Sequence, residues 1–419
     1  MLDTDTIEDC PFAESRAKAF VLRHMAPANT ATEGAVEALR LELDCQDRAG
    51  HKRAICGFLQ ACQVLSDTDV KTLAFPSAKV VYVDDGGSYQ AFMSVKNKLI
   101  AGGWIEHERK AAADHGRARV FRLIKSPETE GLEFTEAATT HMLRMNRKKL
   151  KSAEEYNADD TEKQKPMRRK DLLTMFGEGR IKEEEQRVKS IVNFLSDHPL
   201  RIGSTEYRSL WRIFNNNSLQ LGGRLYSGYS GLSKKLRPSA TIDGEPICQV
   251  DIKASYLCVR AGMAGEAFEE GTDPYQLVPW VDPDNDRTRK LAKKLISALI
   301  SCGGDKQSFP QGMKSEFSDV IGKKQTIKHY KEPVHEVFPF LLKEMDGLAV
   351  MYRESEVLMA VLERCAEADF PAWPLHDCLF VRESDHLKAA SFIKEAFSTM
   401  LGFAPTVTVT DSGLLEKNI

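Results

Sequence analysis

Apolar residues recur at helical spacing over residues 52–65, at Ile55, Phe58, Leu59 and Cys62, and again over 89–100, at Phe92, Val95 and Leu99. Side chains three and four positions apart share one face of a helix, so both stretches predict amphipathic helices. Ala101-Gly102-Gly103 reads as a helix stop, and residues 104–108 alternate like a strand. A polar turn around Asp114-His115-Gly116 then leads to a second strand over 118–124. Residues 1–45 read as helix with polar gaps. Val188, Ile191, Val192 and Leu195 mark a further helix over 183–195.

Downstream, Leu221-Gly222-Gly223-Arg224 reads as a tight glycine turn that lets backbone approach a ligand and projects a bidentate donor. Asp243-Gly244 predicts a hairpin turn before an apolar strand, Pro246 to Val250, that runs into Asp251. Over 287–300, Leu291, Leu295, Ala298 and Leu299 form one helix face, and Arg289, Lys290, Lys293 and Ser297 the other. Asp284 and Asp286 are placed to cap this helix, and Cys302-Gly303-Gly304 to end it. A second buried strand carries Asp377. It lies between a helix marked by Val357, Leu358, Val361, Leu362 and Cys365 and one marked by Leu387, Ala390, Phe392, Ile393 and Phe397. Helix, strand and helix against a small sheet make a palm-like α+β unit.

Composition alters this picture little. The 419 residues leave room for two or three domains, and 42% hydrophobic with 28% charged residues is ordinary for a soluble globular protein. Nine cysteines without a Cys-x-x-Cys pair argue against a zinc site or a disulfide framework, and for a reducing, cytoplasmic setting. The acidic N-terminus (Asp3, Asp5, Glu8, Asp9) reads as neither a signal nor a transit peptide. A net charge of −3 hides clustering. Arg144, Arg147, Lys148, Lys149 and Lys151 precede the acidic Glu154, Glu155, Asp159 and Asp160. Lys163, Lys165, Arg168, Arg169 and Lys170 follow. Such runs form solvated linker or track a phosphate backbone.

A buried strand that ends in an aspartate needs a counter-charge, from a salt bridge or from a metal ion. Two such aspartates, with a helix presenting Arg289 and Lys293 one turn apart, predict a two-metal phosphoryl-transfer site that grips a triphosphate.

These residues resemble the palm and fingers of family A DNA polymerases, relatives of the single-subunit phage-type RNA polymerases. Gly223-Arg224-Leu225-Tyr226-Ser227 resembles that family's primer-template element. Asp251-Ile252-Lys253-Ala254-Ser255-Tyr256 resembles motif A, and Arg289-Lys290-Leu291-Ala292-Lys293 motif B. Leu375-His376-Asp377 resembles motif C, and Asp273-Pro274-Tyr275 a short helix start between motifs A and B. The resemblance covers residues 222–401. It implies that Asp251 and Asp377 hold two Mg2+ ions and that Lys293 is catalytic. It also implies that Arg289 and Lys290 bind the triphosphate, and that His376 and Arg224 contact the primer-template. The implied partners are a DNA primer-template and dNTPs, with no membrane.

Departures from the family pattern shape the expectation. Cys378 stands where the family has a glutamate, Ser297 and Ser301 replace fingers aromatics, and the two aspartates are only 126 residues apart, so the fingers are reduced. No acidic exonuclease motif is evident, so no proofreading is expected. Tyr256, five residues after Asp251, is placed to exclude a ribose 2′-hydroxyl. The expected organisation is a winged-helix-like domain over 1–125, with Lys96, Lys98, Arg117 and Arg119 toward DNA. A basic helical, thumb-like linker over 126–220 and a palm with fingers over 221–419 follow. The expected function is template-directed DNA synthesis on a primer 3′ end. The alternatives are RNA-making or untemplated nucleotidyl transfer, or a DNA-binding replication or regulatory factor with an inactive polymerase domain.

Overall fold

The computed structural model describes residues 19–20, 25–66, 71–76, 89–107, 118–136, 142–146, 167–231, 239–304, 306–309, 313–321, 326–411 and 416–418. The fold is α+β and is built on a ten-stranded sheet. Along it lie Ala372–Leu375, Cys378–Arg382, Glu245–Ile252, Ala240–Ile242, Leu200–Ile202, Thr205–Tyr207, Phe134–Glu136 and Met25–Pro27. Val407–Thr410 also pairs with Glu245–Ile252 and carries Glu416–Asn418 beyond it. Every pairing in this sheet is antiparallel except Phe134–Glu136 with Thr205–Tyr207.

The central strand shows why the sequence folds this way. Cys248, Val250 and Ile252 are buried in the core, while Gln249 and Asp251 alternate toward the open face. Asp243 (φ 54°) and Gly244 (φ 81°) form the expected two-residue hairpin, both in the left-handed region that such a turn demands. Helix Gly347–Glu367 lies across the sheet system and packs on strand Ser218–Tyr226 and on helices Ser255–Gly262, Glu178–Asp197 and His386–Leu401. Its Val350, Val357, Leu358, Val361 and Leu362 enter the main core.

A second core gathers helices Thr30–Glu42, Ala49–Ser66 and Tyr89–Ala101 on a small sheet ordered Ala19–Phe20, Thr72–Pro76, Ala118–Leu123, Ile105–His107. This body is tied to the large sheet. Gln60 Nε2 donates to Thr205 Oγ1 at 3.4 Å, and Gln63 Nε2 to the carbonyls of Thr129 and Leu132 at 3.0 Å.

Several expectations change. Residues 1–45 are not one helical stretch: Met25–Pro27 is a strand, and only Thr30–Glu42 is helix among the described residues there. The 126–220 stretch is mixed rather than helical, since it supplies strands to two sheets beside helices Arg169–Phe176 and Glu178–Asp197. A division at residue 220 falls inside strand Ser218–Tyr226. Lys96 is buried rather than on an exposed face, and Lys98 bonds the carbonyl of Asp44. Arg117 and the cluster 147–165 lie outside the described residues, as does the side chain of Arg119. Leu387 is 63% exposed; the inward face of its helix is Ala389, Ala390, Ile393, Phe397 and Leu401. No described helix is long and apolar enough to cross a membrane.

Candidate active site

Asp251 is the penultimate residue of strand Glu245–Ile252, in a three-strand ladder, opposite Cys378 on one side and Thr408 on the other. Asp377 precedes Cys378, in the two-residue turn that joins Ala372–Leu375 to Cys378–Arg382, with Leu375 and Cys378 paired across it. Opposite residues of an antiparallel pair have Cα atoms about 4.5–5.5 Å apart. Asp377 is one residue removed from that pairing, so two positions 126 residues apart in the chain become neighbours. His376 holds the left-handed corner of the turn (φ 59°), and its ring meets Tyr226 edge-on at 6.0 Å.

Strand Ser218–Tyr226 reaches the same place by a different device. Gly222 and Gly223 do not form a loop turn; they make a bulge inside the strand, where Ile213 pairs with Arg224 but Phe214 pairs with Gly222. Both glycines have positive φ, 82° and 73°, which re-aims the strand locally. The fully buried Arg212 stabilises the bulge. Its Nε donates to the Gly223 carbonyl at 2.8 Å, and its other nitrogens reach Glu184 at 3.3 Å and Glu356 at 2.7 Å. Beyond the bulge, Arg224 faces Glu354, to which its Nε donates at 2.9 Å and its Nη2 makes a second, shorter bond. Arg224 is thus ion-paired inside the site rather than extended into solvent. Burial disfavours its charge, but the Glu354 and Asp377 carboxylates outweigh that and raise its pKa.

Glu354, 1% exposed, also accepts from Ser255 Oγ at 2.9 Å. Burial, partly offset by Arg224 and reinforced by Asp377, raises its carboxyl. The Gly-Gly-Arg strand, the start of the helix after Asp251 and the Asp377 turn therefore converge on one buried acid that the motif reading did not single out. A signal existed. Glu354 sits four residues from Val350 and from Leu358, within an apolar helical stripe, where a carboxylate demands a partner.

Helix Asp286–Ser301 is as amphipathic as expected: Leu291, Leu295 and Leu299 are buried and Lys293 is exposed. Each of those leucines contributes roughly 1.5–3 kcal/mol on burial, so the helix is held by its back face. Its N-cap is Asn285, which accepts from the Arg287 amide at 3.2 Å, rather than Asp284 or Asp286. Arg289 is bound by Asp273 at 2.5 Å. Lys290 is exposed and pairs with Asp286 at 3.0 Å.

Tyr256 Oη donates to the Gly347 carbonyl at 2.8 Å, and Ser301 bonds the same phenol. The ring therefore lies where the helix after Asp251, the C-terminal end of the Lys293 helix and the N-terminal end of the Glu354 helix meet. Burial raises its pKa, partly offset by the Ser301 bond. Cys378 is buried, its thiol on the Leu375 carbonyl at 3.1 Å.

Among the described residues no group of three or more His, Cys, Asp or Glu side chains is placed to hold a metal ion. Glu354 is already engaged by Arg224 and Ser255, so a metal here would rely on the carboxylates of Asp251 and Asp377. Such a set fits Mg2+, which is commonly held by one or two carboxylates and completed by water and substrate phosphates.

No family model matches the chain, and no curated protein matches it. Among solved structures, it is similar to the POL domain of Pol1 from M. smegmatis in complex with DNA primer-template and dNTP. The identity is 12% and the TM-score 0.31, over 56% of this chain and 51% of that one. The chain thus spans about half the length of that structure.

Proposed function

We propose that this protein is a DNA-directed DNA polymerase that adds dNTPs to a primer 3′ end by a two-metal mechanism, without proofreading. The observation that carries the reading is the pairing register. Asp251 lies opposite Cys378, the neighbour of Asp377, on strands locked into a ladder, while the helix bearing Arg289 and Lys293 packs on the helix that follows Asp251. A rigid carboxylate pair beside a cationic helix face suits nucleotidyl transfer, where positioning and charge stabilisation supply most of the catalysis.

In this reading Asp251 and Asp377 would hold the divalent cations. Bound Mg2+ supplies Lewis acidity that eases deprotonation of the primer hydroxyl and stabilises the charge on the departing pyrophosphate. Arg289 and Lys293 take the triphosphate oxygens one helical turn apart, and Lys293 carries the proton that the pyrophosphate takes up. Lys290, turned toward Asp286, contributes at most long-range charge. His376 and Tyr226, edge to face at the turn, face the primer terminus. Arg224, held by Glu354, presents a fixed charge toward the primer-template. Tyr256 closes the sugar pocket from below.

In the N-terminal body, helix Tyr89–Ala101 is followed by the antiparallel pair Ile105–His107 and Ala118–Leu123. That succession supports a winged-helix-like module. Lys96 and Lys98, buried and bound to Asp44 respectively, do not serve it as groove-reading side chains.

The test is primer extension on a DNA template with separate dNTP and rNTP pools. The wild-type protein should extend with dNTPs, and Asp377→Ala should lose at least about 10³-fold in rate while still binding the duplex. Equal activity of Asp377→Ala and wild type would defeat the reading.

A further inference from the structure

The face of the Lys293 helix is fixed by a residue outside that helix. Asp273, whose side chain is 5% exposed, opens the short 3-10 turn Pro274–Leu277. Its two oxygens have separate tasks. Oδ1 accepts the Tyr275 amide at 3.1 Å and caps the turn, while Oδ2 accepts Arg289 Nε at 2.5 Å. Lys253 Nζ, two residues after Asp251, stands 3.9 Å from that Oδ2. The Arg289 guanidinium also lies over the buried Tyr275 ring, 5.4 Å from its centre.

A guanidinium is a planar fork with five N–H donors. With one carboxylate oxygen on Nε, the outer N–H bonds of the two Nη groups still run parallel at the end of the fork and suit a bidentate contact with phosphate oxygens. The rotamer freedom that an arginine gives up on binding an anion is then already lost before the nucleotide arrives. The same carboxylate links the strand bearing Asp251, through Lys253, to the helix bearing Lys293.

We propose that Asp273 is the positioning residue of the triphosphate clamp, holding Arg289 by its Nε edge so that its Nη groups meet the polyphosphate of an incoming dNTP. The inference rests on the polymerase reading of this site and adds to it a residue that touches neither substrate nor metal.

The experiment is steady-state primer extension by wild type, Asp273→Ser, Asp273→Asn, Arg289→Ala and the double variant Asp273→Ser/Arg289→Ala. Serine keeps a cap for the turn but does not reach Arg289. The expected result for Asp273→Ser is a rise of about 10–10²-fold in KM for the dNTP, with a smaller change in kcat. Arg289→Ala should show a similar loss, and the double variant should be no worse than Arg289→Ala alone, because both changes remove one interaction. Asp273→Asn, whose amide keeps one acceptor oxygen, should fall between. A role confined to folding would lower the amount of active enzyme, and so kcat, and leave KM in place. The proposal is overturned if KM is unchanged or falls in Asp273→Ser, or if the two losses add in full. A wild-type protein that neither extends primers nor binds dNTP overturns the polymerase reading itself, which is a separable result.

Discussion

Arg224 and Glu354 set the character of the site at the scale of single residues. A buried ion pair contributes little net stability, because both charges lose water, but removing one partner leaves the other uncompensated. Glu354→Ala is expected to destabilise the fold by about 3–5 kcal/mol, read as a lower urea midpoint, and Arg224→Ala/Glu354→Ala should recover part of that. Tyr256 is the residue-scale test of sugar choice. Its hydroxyl is fixed by Gly347 and Ser301, so the ring has little room to retreat from a 2′-hydroxyl. Tyr256→Ala is expected to reduce discrimination against rNTPs by on the order of 10²-fold, measured as the ratio of kcat/KM for a matched dNTP and rNTP. Unchanged selectivity would remove the gate from the account.

At the scale of elements, two glycines permit the contacts on which the site depends. A Cβ on Gly347 would lie 2.8 Å from Ser301 Cα, 2.9 Å from Tyr256 Oη and 3.0 Å from the Ile300 carbonyl. Two of those neighbours are backbone and cannot turn aside, so Gly347→Ala must push apart the helices bearing Lys293 and Glu354. A cost of about 1–3 kcal/mol follows, together with weaker dNTP selectivity as Tyr256 loses its anchor. Thermal unfolding and the same kcat/KM ratio check both. Gly223→Ala would put its methyl 2.8 Å from Arg212 Nη2 at φ 73°. It is expected to cost about 1–3 kcal/mol and to lower extension by moving Arg224.

At the scale of the whole molecule, the ten-stranded sheet joins the N-terminal body to the strands beside Asp251 and Asp377, and Glu136 lies at the junction. Its carboxylate accepts the amides of Arg208, Ser209 and Gly228 at 2.9, 2.8 and 2.9 Å. Burial outweighs these donors and pushes its pKa from 4.5 up to about 7. Between those values the folded chain binds a proton that the unfolded chain does not, so stability falls as pH rises through that window. The loss is at most about 3 kcal/mol. The stability gap between wild type and Glu136→Gln, from urea melts at pH 4.5 and 7.5, should narrow by up to that amount on going to the higher pH. A gap independent of pH would show that Glu136 stays ionised in the fold.

The local pattern alone was enough for the amphipathic Lys293 helix, the Asp243-Gly244 hairpin and the strands leading to Asp251 and Asp377, because periodicity and turn chemistry are properties of neighbouring residues. The partners of Asp273 and Glu354 were not legible in that way. A buried carboxylate declares its partner only when distant strands and helices are brought together, and Lys96 looked solvent-facing until its packing neighbours were in place. The glycine pair at 222 and 223 reads from sequence as a tight turn, and that it makes a bulge instead depends on strand Trp211–Asn215 lying beside it. Sequence thus determined the strongly periodic helices, the hairpin before Asp251 and which segments carry charge. Tertiary structure decided which charges meet, since the energy of an ion pair depends on separation and burial, and neither exists before the chain has folded.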